Sequence, residues 1–168
     1  MRRKTTYRID IDVPADAVTT FDGDFDFLSN FFPHEMTIDG VAYPTVEHAF
    51  QALKTDDIAE RNRVREAKSP YMAKRTGRQV TMRAGWDEER FDVMEAILRV
   101  KFADPALKEK LLSTGDRVLV EGNTWRDTTW GCVKDNDGKW HGRNRLGKAL
   151  MKVREELRGG QPTDQMDT

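Results

Sequence analysis

A chain of 168 residues, 38% hydrophobic and 34% charged, fits one soluble domain with a real core and a crowded polar surface. Its net charge of −1 argues against a dedicated nucleic-acid coat, and no apolar run approaches the ~20 residues that a membrane span needs. Cys132 is the only cysteine and the three histidines (His34, His48, His141) fall at unrelated spacings, so an intramolecular disulfide is excluded and neither a metal nor another cofactor is expected.

Residues 1 to 20 read as an N-terminal extension or edge strand. Their opening, MRRKTTYRIDIDVP, is basic without a following apolar segment, so it lacks the form of a signal peptide and a cytoplasmic location is expected. MTIDGVAYP reads as a hairpin turning at Asp39-Gly40 in a type I′ turn. Pro44 and Thr45 stop the strand, and Thr45 is an N-cap candidate for a helix. Ser69-Pro70 opens a second helix that Gly77 closes. Asp87 caps a longer one, whose Phe91, Met94, Leu98 and Phe102 share a face. Asp104-Pro105 starts the next helix and Gly115 ends it, after which RVLVEG is a strand candidate. Asn144 caps a final helix with an apolar stripe of Leu146, Leu150, Val153 and Leu157. Residues 159 to 168, GGQPTDQMDT, have the composition of a disordered tail. Helices dominate with a few short strands, an α+β pattern without βαβ rhythm. No GxGxxG, P-loop, GxSxG or HExxH motif occurs.

Chemistry concentrates in three places. In TVEHAFQALK (45 to 54), Val46, Ala49, Phe50 and Leu53 form an apolar face, while Glu47, Gln51 and Lys54 make a second stripe at i, i+4, i+7. An acid in the first turn and a lysine near the end suit the helix dipole without any further role. Alternatively, both reach a ligand lying over Gln51. In EGNTWRDTTWGCVKDNDGKWHGRNRLG, Trp125, Trp130 and Trp140 accompany Asn123, Asp127 and Asn144. These tryptophans either lid the core or offer a stacking surface for a flat heterocycle. The helix start after Gly142-Arg143-Asn144 is a candidate phosphate seat. In FLSNFFP, Ser29 and Asn30 sit among phenylalanines and must find partners in the backbone or a ligand. From Arg61 to Arg83 there are eight basic residues against one acid, Glu66, a net +7. That run is either ordinary helix surface or a landing strip for phosphates.

In this order, FLSNFFP, DGVAYPTVEHAFQALK, SPYMAKRTGRQV, GWDEERFDVMEAILRVKF, LLSTGDRVLVEGNTWRDTTWG and NRLGKALMKVREEL resemble the NADAR (YbiA-like) family over nearly the whole chain, with residues 21 to 158 as the catalytic domain. The resemblance implies a single α+β domain that hydrolyses an N-glycosidic bond between a phosphate-bearing ribose and an amine on a heterocycle. It implies catalytic roles for Glu47, Lys54 and Asp127. Ser29, Asn30, Phe31, His48, Gln51 and Arg78 would bind substrate, as would Trp125, Trp130, Gly131, Asn144 and Gly147. A glycosylamine that opens to an imine can exchange its heterocyclic amine for that of Lys54, giving a Schiff base that water releases.

Two substrate classes follow from the family: ADP-ribose on guanine in nucleic acid, and ribosylamino-pyrimidine phosphates of riboflavin synthesis. The +7 segment favours the first, with a cognate ADP-ribosyltransferase toxin as a pathway partner and no membrane partner. A carboxylate-only nucleosidase and a non-catalytic reader of ADP-ribose are the rival readings.

Overall fold

The structure, a computed structural model, describes residues 9–160. Its elements in chain order are β1 (Asp10–Ile11), a 3-10 helix (Gly23–Leu28), β2 (Met36–Ile38), β3 (Val41–Tyr43), α1 (Val46–Ala52), α2 (Ile58–Arg65), α3 (Pro70–Gly77), α4 (Trp86–Lys101), α5 (Pro105–Ser113), β4 (Val133–Lys134), β5 (Trp140–His141) and α6 (Arg145–Gly159). The fold is helix-rich α+β, as expected. β2 and β3 form a hairpin with Met36 opposite Tyr43. A separate antiparallel sheet has the order β1-β5-β4, with β1 at its edge. His141 ties that edge down, its ring lying 2.6 Å from the Asp10 carboxylate and 2.8 Å from that of Asp135. Residues 1–8 and 161–168, which hold part of the predicted extension and most of the predicted tail, lie outside the described residues; Gly159 itself ends α6.

Local chemistry accounts for most boundaries. Asp39 and Gly40 both have positive φ (49° and 76°), the type I′ signature that matches strand twist. The side chains of Thr45, Ser69 and Asp104 accept from the backbone N–H of His48, Met72 and Leu107, capping α1, α3 and α5. Gly115, with φ 62°, follows the end of α5 in the left-handed conformation that glycine adopts at least cost. Asp57 caps α2 in the same way.

Four boundary expectations need correction. Asp87 lies inside the first turn of α4, and the N-cap is Gly85, whose φ of 79° no β-carbon residue takes cheaply. Gly77 is the last helical residue of α3 rather than a left-handed stop; a Cβ there would overlap the side chain of Gln51, so smallness is what the position requires. RVLVEG forms no ladder. It is threaded between Val18 and Cys132 through single bridges, Val18 with Leu119 and Gly122 with Cys132. Asn144 does occupy the N-cap of α6, but in a left-handed conformation and without a capping bond.

The core is built around α1, which packs on α2, α3 and α4, while α6 closes over α4 and α5. Every residue of α1 is buried. Phe50 meets Trp86 at 5.0 Å and Trp130 edge-on at 5.2 Å, joining α1, α4 and the late loop in one aromatic cluster. On α6, Leu146, Leu150 and Val153 are fully buried and Leu157 packs on the core. Glu60 of α2 accepts from Thr55 Oγ1 at 2.6 Å and from Thr81 N at 2.9 Å, tying the helix to segments on both sides of it.

Lys101, at the end of α4, is wholly buried. Its Nζ donates to the Ser29 carbonyl at 2.9 Å and lies over the rings of Phe32 and Phe102. Burial holds this amine down to about 7, against a weak opposing pull from Asp26.

Two outcomes follow for stability. Leu150→Ala should cost about 2–5 kcal/mol, read as a lowered urea midpoint; no change would make α6 peripheral. For Lys101, the unfolded chain keeps its proton to about pH 10 while the folded chain releases it near 7. Between those values the unfolded state binds more protons, so this residue makes stability rise with pH. Unfolding of wild type and Lys101→Met at pH 6.5, 8 and 9.5 should show the wild type gaining on the variant as pH rises. A difference independent of pH would contradict this.

Candidate active site

Four segments, with Thr20, Phe21, Asp22 and Met94 completing the walls, converge on a cavity of about 610 Å³. The first is the buried α1. Its Glu47 and Gln51 line the cavity one turn apart, with Gln51 Nε2 donating to Glu47 Oε1 at 2.7 Å. The second is the loop after the 3-10 helix. Its carbonyls are held from both sides: Lys101 Nζ donates to Ser29 O, and Glu47 N donates to Asn30 O at 3.0 Å. Asn30 enters the cavity with its Oδ1 buried and unpartnered, its amide N reaching only the sulfur of Met94 at 3.7 Å. The third is α3, which contributes Tyr71, Lys74 and Arg78. The fourth is the stretch from Glu121 to Trp130.

That last stretch is organised by Asn123 and Asp127. Asn123 exchanges hydrogen bonds with the backbone of Asp127, and Asp127 Oδ1 accepts from the N–H of Thr129 (3.0 Å) and Trp130 (2.9 Å). One oxygen of Asp127 is therefore committed to shaping the loop. Trp130 lies against Phe50 and Phe91 at the cavity wall, whereas Trp125 is 64% exposed at the mouth, together with Tyr71 at 67%. Trp140 is outside the cavity, in β5, with its ring against Gly122. The alternatives for the tryptophans thus divide by position: Trp130 and Trp140 pack, and Trp125 is free to stack.

Electrostatics couple these pieces. Burial raises the Glu47 carboxyl, and Asp127 adds to the shift, while the Gln51 hydrogen bond, Lys74 and Lys54 oppose it. Burial lowers the Lys54 amine, helped by Arg78, Lys74 and Arg90 and opposed by Glu47. Acid and amine are thus both pushed toward their neutral forms, and each is the other's counter-charge. α1 stops at Ala52, so Lys54 follows a turn rather than the straight i, i+7 line; its carbonyl accepts from Arg83 N at 2.7 Å. Lys54 is half-buried beside the cavity and is not itself a wall residue.

Of the residues expected at the site, Ser29, Asn30, Phe31, Glu47, Gln51, Arg78, Trp125, Asp127 and Trp130 line the cavity. His48, Gly131, Asn144 and Gly147 do not. The His48 ring is sealed between Thr45 Oγ1 (2.8 Å) and the Ala67 carbonyl (2.9 Å), which leaves it no open nitrogen. Asn144 accepts from Glu121 N at 3.1 Å and donates to Leu119 O at 2.8 Å, pinning the extended segment. A Cβ on Gly131 would overlap Glu121 O, and one on Gly147 would overlap Leu119 O, so both glycines permit close backbone approach. The phosphate seat expected at the start of α6 is also occupied. Asn144, Arg145 and Leu146 donate their N–H groups to the carbonyls of Gly131, Thr129 and Trp130. Glu121, Lys74 and Tyr71 are wall residues that the motifs did not single out, though Lys74 lay within the basic run.

The basic run divides in the same way. Arg61 and Arg65 border a separate groove with Tyr43, and Arg61, Arg63 and Arg65 pair with Asp56, Glu60 and Glu66. Arg83 pairs with Glu89 at 2.6 Å. Only Lys74 and Arg78 of the run reach the main cavity.

The described residues thus form a helix-rich α+β domain whose cavity joins the carboxyl-bearing α1 to the loop of Asp127 and Trp130. The chain belongs to the NADAR family: the NADAR domain matches residues 19–158. It is 39% identical over 137 residues to the N-glycosidase YbiA of Escherichia coli (strain K12), covering 80% of this chain and 82% of that protein. It is 40% identical over 137 residues to N-glycosidase Npun_R5314 of Nostoc punctiforme, covering 78% of this chain and 85% of that one. Identity to the riboflavin biosynthesis protein VVA0006 of Vibrio vulnificus is 40% over 139 residues, 81% of this chain but 36% of that protein, so this chain spans about a third of its length. The NMR structure of E. coli YbiA superimposes with a TM-score of 0.72 at 35% identity, over 91% of this chain and 94% of that one. No helix among the described residues is long and apolar enough to cross a membrane.

The contact between Gly77 and Gln51 offers a test of how the site is held. Gly77→Ala should displace Gln51, break its bond to Glu47 and cost about 1–3 kcal/mol of overpacking, measured as a fall in unfolding midpoint. Adding Gln51→Ala should restore part of that loss. A Gly77→Ala variant as stable as wild type would mean that α1 and α3 separate freely.

Proposed function

We propose that this NADAR-family glycosidase hydrolyses the bond between ribose C1′ and an exocyclic amine of a heterocycle, on a substrate that carries phosphate. The observation that carries the reading is a buried carboxyl on the cavity wall, Glu47 bonded to Gln51, with the half-buried amine of Lys54 just past the end of α1; burial raises the first and lowers the second, and each resists the other's shift. A lysine amine pushed toward its neutral form is the better nucleophile, and a carboxyl pushed toward its protonated form can move protons between leaving group and water. Lys54 attacks C1′ of the opened sugar, the heterocycle leaves as its free amine, and water then releases the sugar from the Schiff base. Glu47 serves the proton transfers. Asp127, with one oxygen held by the backbone, orients ribose hydroxyls through the other.

Lys74 and Arg78 enter the cavity without an ion-pair partner among the described residues, which suits one or two phosphates. The exposed faces of Trp125 and Tyr71 at the mouth suit a heterocycle or a neighbouring base. The finer reading is that ADP-ribose is removed from guanine in nucleic acid, with a cognate ADP-ribosyltransferase toxin as the source of the mark; the open aromatic mouth supports it. A second reading, hydrolysis of ribosylamino-pyrimidine phosphates, is favoured by the riboflavin biosynthesis name of the Vibrio vulnificus relative and by the small number of cations in the cavity.

Borohydride added during turnover should trap a sugar adduct on Lys54, and Lys54→Ala should lose both adduct and activity. An untrapped Lys54 with an active Lys54→Ala variant would leave a carboxylate-only mechanism, and binding without turnover would leave a reader of ADP-ribose. The substrate is settled by assaying an ADP-ribosylated oligonucleotide beside a ribosylamino-pyrimidine phosphate. If a strand is bound, oligonucleotide turnover should fall with salt more steeply than turnover of free ADP-ribosyl-guanosine.

A further inference from the structure

We propose that Glu121 is a further catalytic group of this cavity: it carries the proton that the departing heterocyclic amine receives. The inference rests on the N-glycosidase reading above.

Three carboxyl groups approach the cavity from two sides, Glu47 from α1 and Glu121 and Asp127 from the late loop, with Asp22 further along the wall. Their hydrogen bonding separates their roles. Glu47 Oε1 accepts from Gln51, and Asp127 Oδ1 accepts from two backbone N–H groups. Both are thereby committed as acceptors. Among the described residues nothing donates to the Glu121 carboxyl and no cation pairs with it. A carboxylate in this half-buried place on the cavity wall would have no protein donor, whereas a carboxylic acid is neutral and presents its own donor. Charges facing it act in the same direction. Asp127 and Glu47 repel a second anion, and Lys74 is the one cation that opposes them. With burial as the main cause, the group is pushed up to about 8. Three like charges that share a cavity cannot all ionise easily, and the proton stays where stabilising donors are fewest.

The backbone beneath this side chain is clamped. Glu121 N donates to Asn144 Oδ1 at 3.1 Å, and Glu121 O accepts from Cys132 N at 2.8 Å. Gly131 lies so close to that carbonyl that no larger residue fits. Such a held position is what proton delivery to one atom requires.

In the step itself, Lys54 has added to C1′ and the bond from C1′ to the heterocyclic nitrogen breaks. That nitrogen takes the bond's electron pair and the Glu121 proton, leaving a free amine and a Glu121 carboxylate. Water then adds to C1′ and the bond from C1′ to Lys54 Nζ breaks; of the two protons that the water gives up, one returns to Nζ and the other passes through Glu47 to solvent, from which Glu121 is reprotonated as product leaves. The sum is substrate plus water to sugar and free heterocyclic amine.

Glu121→Gln keeps shape and a donor but cannot give up a proton. It should lower kcat on the order of 10²–10⁴-fold, with KM within a few-fold of wild type and an unchanged unfolding midpoint. Wild-type kcat should decline as pH rises through about 8, and this alkaline limb should vanish in the variant. A substrate whose leaving amine is much less basic should recover most of the lost rate, which a merely structural defect would not allow. Carbon-13 labelling of the glutamate carboxyls, with Glu121→Gln for assignment, should show this group still protonated at pH 7. An active variant that keeps the alkaline limb, or a carboxylate signal at pH 7, overturns the proposal. A wild-type protein inactive on every ribosylated amine overturns the N-glycosidase reading instead, and this role with it.

Discussion

The constraint on which the rest of this structure depends is a seven-residue helix with no solvent-facing side. α1 buries Glu47, His48 and Gln51 together with its apolar residues. Buried polar groups without partners are costly, so the surrounding chain is arranged to supply them. Thr45 and Ala67 close both nitrogens of His48; Gln51 answers Glu47; and the N–H of Glu47 reaches the Asn30 carbonyl. What remains unmatched belongs to two residues that line the cavity, Asn30 through its Oδ1 and Gln51 through its Oε1. Structural demand and chemical opportunity are thus two sides of one packing problem.

The loops around the helix are held almost as firmly as the helix itself. Successive carbonyls at Ser29 and Asn30 are taken by Lys101 and by α1, so a loop rich in phenylalanine has little freedom at the cavity wall. Across the cavity, Asn144 grips the segment from Leu119 to Glu121, and the first amides of α6 grip the carbonyls from Thr129 to Gly131. Gly131 and Gly147 make this possible because backbone must approach backbone there. A site whose carboxyl groups sit on clamped backbone needs little reorganisation to work on a bound substrate. Motion, where it is needed, is left to the exposed rings of Trp125 and Tyr71 at the mouth.

Charge is distributed with the same economy. The arginines of α2 are answered by neighbouring acids and face away from the cavity, so a run that reads as one basic stretch becomes two surfaces. The two cations that do enter, Lys74 and Arg78, also depress the Lys54 amine. Under the proposed function, the groups that meet a phosphate would be the same groups that depress the Lys54 amine. Binding an anion there would weaken that depression, which couples substrate charge to the state of Lys54.

The sequence by itself determined the elements whose causes are local. A cap needs one side chain and its neighbours, a type I′ turn needs Asp39-Gly40, and the α6 stripe needs only helical spacing; all are settled within a few residues. The stretches that meet in the site were legible for the same reason, as polar residues stranded in apolar motifs. What the sequence left open was decided by contacts between distant segments. Gly77 reads as a helix stop until Gln51 is seen against it, and Asn144 reads as a cap until its side chain is seen holding residues 119 to 121. Glu121 looks like an ordinary acid in a strand until burial, together with Asp127 and Glu47, surrounds it with reasons to keep its proton. Spacing along a chain encodes which face a residue takes; only packing decides what stands opposite it, and in a low-dielectric cavity that neighbour sets the chemistry.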